Sequence, residues 1–104
     1  MAELTASVVQ RQLGQPGDAI TGTPVQVETY LLKVTKAAQN DTIVTTDNIS
    51  SSHTTDKIIE LDGITIPTGG DAVQEAPTVD DSDDEIVLGS ATTGTTWVKV
   101  TFGL

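Results

Sequence analysis

The chain contains no cysteine, which removes disulfides and thiolate metal ligands and leaves the redox compartment open. A single histidine, His53, makes a zinc centre improbable on ligand count alone. Aromatic residues number three, Tyr30, Trp97 and Phe102, so any core is aliphatic and thin, and partner subunits are expected to complete its burial. Bases are equally scarce. Arg11, Lys33, Lys36, Lys57 and Lys99 stand against 15 acids, for a net charge of −10. Phosphate backbones and anionic lipid surfaces both need clustered Lys and Arg, so neither nucleic acid nor membrane is expected as a partner. No segment approaches the roughly 20 apolar residues that span a bilayer. The opening "MAELTASVVQRQLGQPGD" lacks a basic region followed by an apolar one, so a soluble protein without a secretory signal is expected. A length of 104 residues fits one domain.

What the chain does have is threonine, eighteen times, accompanied by valine and isoleucine. These β-branched residues favour pleated, half-buried surfaces. Residues 1–24 read as an N-terminal arm: Leu4, Val8 and Leu13 fit one side of a short helix ending at Gly14, and "GQPGDAITGTP" is loop punctuation. From 25 to 104 the reading is a β-rich domain. "VQVETYLLKVTKA" is a long strand whose apolar phase slips, which implies a bulge near Glu28–Thr29 or cover on both faces. Asp62-Gly63 signals a two-residue hairpin inside "KIIELDGITIP", with a single kinked strand as the alternative. "DNISSSHTTD" reads as a surface loop, Val73–Val79 as a strand, and "EIVL" and "TTWVKVTFG" as closing strands. In the last, Thr96, Val98, Val100 and Phe102 share one face, and Trp97, Lys99 and Thr101 the other. The fold class expected is all-β: a single small antiparallel β-sandwich or β-barrel with an extended N-terminal arm.

The most heavily charged segment is "PTVDDSDDEIVLG", with five carboxylates among residues 80–85. Asp80, Asp81, Asp83, Asp84 and Glu85 offer oxygen ligands for Ca²⁺, but their spacing departs from the twelve-residue calcium loop. A solvated hairpin end explains them better, because Asp and Ser bond their own backbone in turns. His53 lies beside Ser50, Ser51 and Ser52, with Asp56 nearby. Adjacent residues of one flexible loop do not readily converge on one carbonyl, and no strand-to-helix nucleophile elbow is present, so no catalytic residue and no enzyme is expected. "PTGGD" lacks the Lys and helix of a phosphate loop. No cofactor is implied. Trp97 is the suggestive residue: it is either an interface anchor beside Lys99 and Thr101 or is covered by a second layer. Leu4 and Val8 are the arm's candidate contacts.

The sequence of an arm, a strand "VETYLLKVTKAAQNDTIVT", a hairpin and a terminal "IVLGSATTGTTWVKVTFG" resembles small β-rich virion proteins of tailed bacteriophages, especially head decoration (cement) proteins. The resemblance covers most of the chain from Val25 on and carries no residue-level motif, so no site is transferred. It implies a protein on the capsid surface of a virion, binding the major capsid protein, its arm adding a strand to a coat-protein sheet. Many copies stabilise the assembled shell, and a homo-oligomer, plausibly a trimer, meets at symmetry axes. The alternative is a carbohydrate- or surface-binding β-sandwich module, a piece of tail fibre or adhesin, with Ca²⁺ at the acidic turn.

Overall fold

The computed structural model describes residues 2–14 and 26–104. Its strands are β1 (Ser7–Leu13), β2 (Val27–Lys36), β3 (Asp41–Val44), β4 (Ile58–Ile66), β5 (Val73–Gln74), β6 (Thr78–Asp80), β7 (Glu85–Leu88) and β8 (Gly94–Gly103). One helical turn, α1 (Thr45–Asn48), and a 3-10 turn at Thr55–Lys57 complete the described elements. The strands form two antiparallel sheets, ordered β1-β2-β8-β4-β5 and β3-β7-β6, packed against each other. This is the all-β, sandwich-like fold expected, and the sheets do not close into a barrel.

The two sheets differ in length, and that difference organises the interior. Strands β2 and β8 run ten residues each, whereas β3 and β7 have four. At about 3.3 Å per residue the large sheet is more than twice as long as its cover. In the middle, where sheet faces sheet, Leu32, Val34, Val98, Val100 and Phe102 meet Ile43, Ile86 and Leu88. Burying each such side chain stabilises the fold by about 1.5–3 kcal/mol. Past both ends of the small sheet, loops provide the cover, and loops bring backbone and side-chain polar groups that need partners. The inner face of β2 records this change, reading Glu28, Tyr30, Leu32, Val34, Lys36, with an acid buried at one end and a base at the other.

That alternation corrects one expectation. β2 keeps an unbroken register with β8 from Val27↔Gly103 to Lys36↔Gly94, with no bulge at Glu28–Thr29. The apolar phase slips in sequence because Glu28 and Lys36 occupy inward positions. The register shifts fall elsewhere, in β1 between Val8 and Gln10 and in β4 between Ile58 and Glu60.

Three further expectations are revised. Residues 7–13 are a strand rather than a helix, because they hydrogen-bond along β2 from Ser7↔Lys33 to Leu13↔Glu28 and extend the sheet by one strand. Of the arm read as residues 1–24, residues 1 and 15–24 lie outside the described residues. Asp62-Gly63 is not a hairpin: β4 continues straight through it, paired to β8 over Ile58–Ile66, which a turn would forfeit. Gly63 is needed there for closeness, since a Cβ would lie 3.2 Å from the Trp97 carbonyl oxygen and 3.4 Å from Glu75 Cβ. Residues 73–79 are not one strand either; β5 joins the large sheet and β6 the small one.

Candidate functional site

Alternation sends every second residue of the large sheet away from the core. On that outer face the register places Trp97 of β8 opposite Ile64 of β4 and Lys33 of β2, with Leu31 opposite Lys99. Leu31, Trp97 and Ile64 therefore form an apolar stripe across three central strands. Ile64 is 42% exposed and Ile66 41%, whereas Leu31 and Trp97 are half-buried, so among the described residues the stripe is open to solvent chiefly at its Ile64 end. The Lys33 ammonium sits 5.2 Å from the centre of the Trp97 ring, a cation–π arrangement. A shallow depression of about 230 Å³ is lined by Leu31, Asp62, Gly63, Ile64, Trp97 and Lys99.

The interface candidates are thus split. Trp97 and Lys99 lie together on the outer face, where Lys99 pairs with Glu60 at 3.3 Å. Thr101 is on the same face but buried, bonded to Thr29 at 3.0 Å and to Glu60 at 3.3 Å. Leu4 packs against the core, and its backbone N–H donates to the Thr42 carbonyl at 2.7 Å. Val8 remains 43% exposed on the opposite side of the sheet from Trp97, at the mouth of a second cleft.

That second cleft, about 440 Å³, opens where the loop 45–57 folds over the end of β2. The segment read as a surface loop is in fact pinned: Thr45 donates to the His53 carbonyl at 2.7 Å, and His53 and Thr55 are buried. His53 Nε2 lies 3.0 Å from Glu28 Oε1, Tyr30 donates to that same oxygen at 2.5 Å, and Arg11 Nε donates to Tyr30 at 3.1 Å. The hydrogen bond from Tyr30, followed by those from His53 and the charge of Arg11, holds the Glu28 carboxyl below its ordinary value against the opposing effect of burial. Burial and the Glu28 carboxylate push the Tyr30 phenol up, so it stays a donor. On the other ring nitrogen, Ser50 Oγ lies 2.5 Å from His53 Nδ1. Asp56, the acid nearest in sequence, bonds Thr54 instead. Neither Glu28 nor Tyr30 was singled out from the sequence, since both sit 23 or more positions from His53; an acid at an inward strand position was the available signal.

The acidic segment does form the β6–β7 hairpin end. Ser82 bonds Asp80 through both its N–H, at 3.1 Å, and its hydroxyl, at 2.6 Å. Asp81 and Asp84 turn toward the 45–57 loop and accept from Thr55 at 2.7 and 3.0 Å. Asp80, Asp83 and Glu85 can bring one oxygen each within 4.8 Å of one another. The five carboxylates are thus divided between a turn, a loop anchor and a loose triplet, which is less than the six to eight ligands calcium takes.

No family model, curated protein or solved structure matches this chain.

Proposed function

We propose that the protein is a structural adhesion module that acts through its outer sheet face, and that its setting is the virion surface, as a decoration protein on a capsid shell. The observation that carries this reading is the partly exposed Leu31–Trp97–Ile64 stripe on the outer sheet face. Tryptophan presents large apolar area at small entropic cost, and with tyrosine and arginine it is enriched among the residues that dominate binding interfaces. In a chain of net charge −10, the stripe is flanked by two of the few cations, Lys33 and Lys99. With Lys99 already paired to Glu60 and Asp62 on the same margin, it fits an apolar patch on the major capsid protein that places an acid opposite Lys33. Copies of the chain meeting at symmetry axes offer a second use of the same face.

Because β1 is integrated in the sheet, deleting the arm strips β2 of a neighbour and confounds fold with binding. Trp97→Ala is the cleaner test. It leaves the inner core untouched, and the variant is expected to lose co-sedimentation with purified empty capsids by tenfold or more, consistent with a side chain contributing about 2 kcal/mol to an interface. Undiminished co-sedimentation of a folded Trp97→Ala protein rules the face out.

The carbohydrate-binding reading is favoured by one observation, the polar margin of the same depression, where Asp62 and Lys99 flank the indole. Trp97 is the only tryptophan, so its fluorescence reports this face alone. A saturable change on titrating oligosaccharides, without capsid binding, selects the sugar module.

A further inference from the structure

We propose that Ser50 is a nucleophile able to take the acyl group of small esters, with His53 as its general base and Glu28 as the residue that positions the base. The inference goes beyond the adhesive role and concerns the opposite side of the sheet.

The argument begins with the tautomer of the only histidine. Glu28 is 5% exposed and collects donors on both oxygens, from Tyr30 at 2.5 Å and Gln26 at 3.2 Å, with the Arg11 guanidinium at 3.6 Å. An ionised carboxylate can only accept, so His53 Nε2, at 3.0 Å, carries a proton directed at it. In the neutral imidazole the lone pair then resides on Nδ1, and the hydrogen bond at 2.5 Å is donated by the Ser50 hydroxyl. The ring cannot turn freely, because Tyr30 and Phe102 meet it edge-on with centroids 5.3 and 4.9 Å away. Nucleophile, base and a carboxylate orienting the base are the logic of a triad, recognised by geometry rather than by order in the chain.

The surroundings suit an ester. Ser50 is partly exposed and lines the 440 Å³ cleft together with Val8, Ile49 and Leu104, an apolar wall for a short acyl chain. The Ser52 N–H at 3.4 Å and the Ser52 hydroxyl at 2.9 Å bond Ser50 Oγ itself and help fix its position, while Arg11, which lines the same cleft, is the donor within the cleft for the carbonyl oxygen on which negative charge develops. In the reaction Ser50 Oγ bonds the carbonyl carbon as its proton passes to His53 Nδ1. The carbon–alkoxy bond breaks and the alkoxide leaves with that proton as an alcohol. Water, deprotonated by His53, then cleaves the acyl-serine to a carboxylic acid and restores the hydroxyl.

The full chain treated with a fluorophosphonate reagent provides the test, with adducts located by peptide mass spectrometry. A single adduct on Ser50 is expected. Its rate should exceed that of Ser51 and Ser52, in a setting where Glu28, Tyr30 and Arg11 are the charged or titratable groups facing the His53 ring. It should fall about a hundredfold or more in His53→Gln, the scale of general-base assistance. Glu28→Gln should slow labelling and alter its pH profile, since an amide can donate to Nε2 and move the proton to Nδ1. Because these two residues are buried and their variants can misfold, the native protein is also compared with its urea-unfolded form. Native Ser50 labelling no faster than unfolded Ser50, adducts spread evenly over Ser50, Ser51 and Ser52, or a folded His53→Gln that labels at the native rate each overturns the proposal.

Discussion

Among the described residues, Lys36 is one of the largest side chains that the fold withdraws fully from water. Its ammonium has three protons and three acceptors: Glu75 Oε1 at 2.7 Å, the Ser90 carbonyl at 2.5 Å and the Ser90 hydroxyl at 3.0 Å. Glu75 in turn accepts from Ser90 N–H at 3.0 Å and from Thr65 Oγ1 at 2.7 Å, and Thr65 bonds Thr96 at 2.8 Å. Among the described residues no buried side-chain polar atom lacks a partner. Such a pair owes little of its worth to net stability, because desolvation cancels most of the attraction, yet breaking it leaves a charge stranded in a dry site. Glu75→Gln and Lys36→Met are each expected to lower unfolding free energy by about 3–5 kcal/mol in urea titrations. The double variant Lys36→Met/Glu75→Leu should recover most of that loss, because no charge is then left unpaired. A double variant as unstable as the sum of the singles contradicts this account.

At the level of elements, what the sequence disclosed depended on whether inward positions were apolar. The face assignment of β8 was legible because Val98, Val100 and Phe102 alternate cleanly, and that assignment put Trp97 on the outside. The β6–β7 turn was legible from its carboxylates. β2 was misjudged because Glu28 and Lys36 point inward, and no local rule announces a charge whose partner lies 39 residues away, as Glu75 does from Lys36. For the same reason the His53 cluster was missed: Glu28 and Tyr30 of β2, Arg11 of β1, and Ser50 and His53 of the 45–57 loop carry it, and only the β1–β2 register and the folding of that loop over β2 bring them together. β1 was misjudged because all seven of its residues are exposed, so its spacing carried no core signal. Glycine at the start of β8 shows how tightly these elements abut. Gly94 adopts φ +140°, and a Cβ there would lie 2.5 Å from the Ile66 carbonyl oxygen. Gly94→Ala combines backbone strain with a clash against a main-chain atom that cannot rotate away, and should cost about 2 kcal/mol or more in thermal or urea unfolding. Gly69→Ala provides the control, with a positive φ but nothing within 4 Å of the added methyl, and should cost less.

For the molecule as a whole, the excess of acid acts in two opposite ways. Surface carboxylates repel one another at net charge −10, so protonating them on acidification relieves strain on the compact state. Three interior carboxylates work in the other direction. Glu28 is held below its ordinary value first by the Tyr30 hydroxyl, then by His53 and Arg11, against burial. Burial presses upward on Asp41 and Glu75, and hydrogen bonds outweigh it: the N–H groups of Ala37, Ala38 and Ala2 for Asp41, and Lys36, Thr65 and Ser90 for Glu75. A carboxyl with a depressed folded value contributes stability that is complete above its unfolded value, about 4. That contribution drains away as pH falls toward the folded value. The melting temperature should therefore hold steady or rise slightly from neutral pH toward about 5 and drop steeply below about 4, where the interior carboxylates take up protons. Salt separates the two effects, because a Debye length near 10 Å at about 0.1 M screens exposed charges and leaves buried ones nearly untouched. Adding salt should raise the melting temperature at neutral pH while leaving the acid midpoint in place. An acid midpoint that moves with salt as strongly as the neutral melt would assign acid unfolding to the surface and remove Glu28, Asp41 and Glu75 from the explanation.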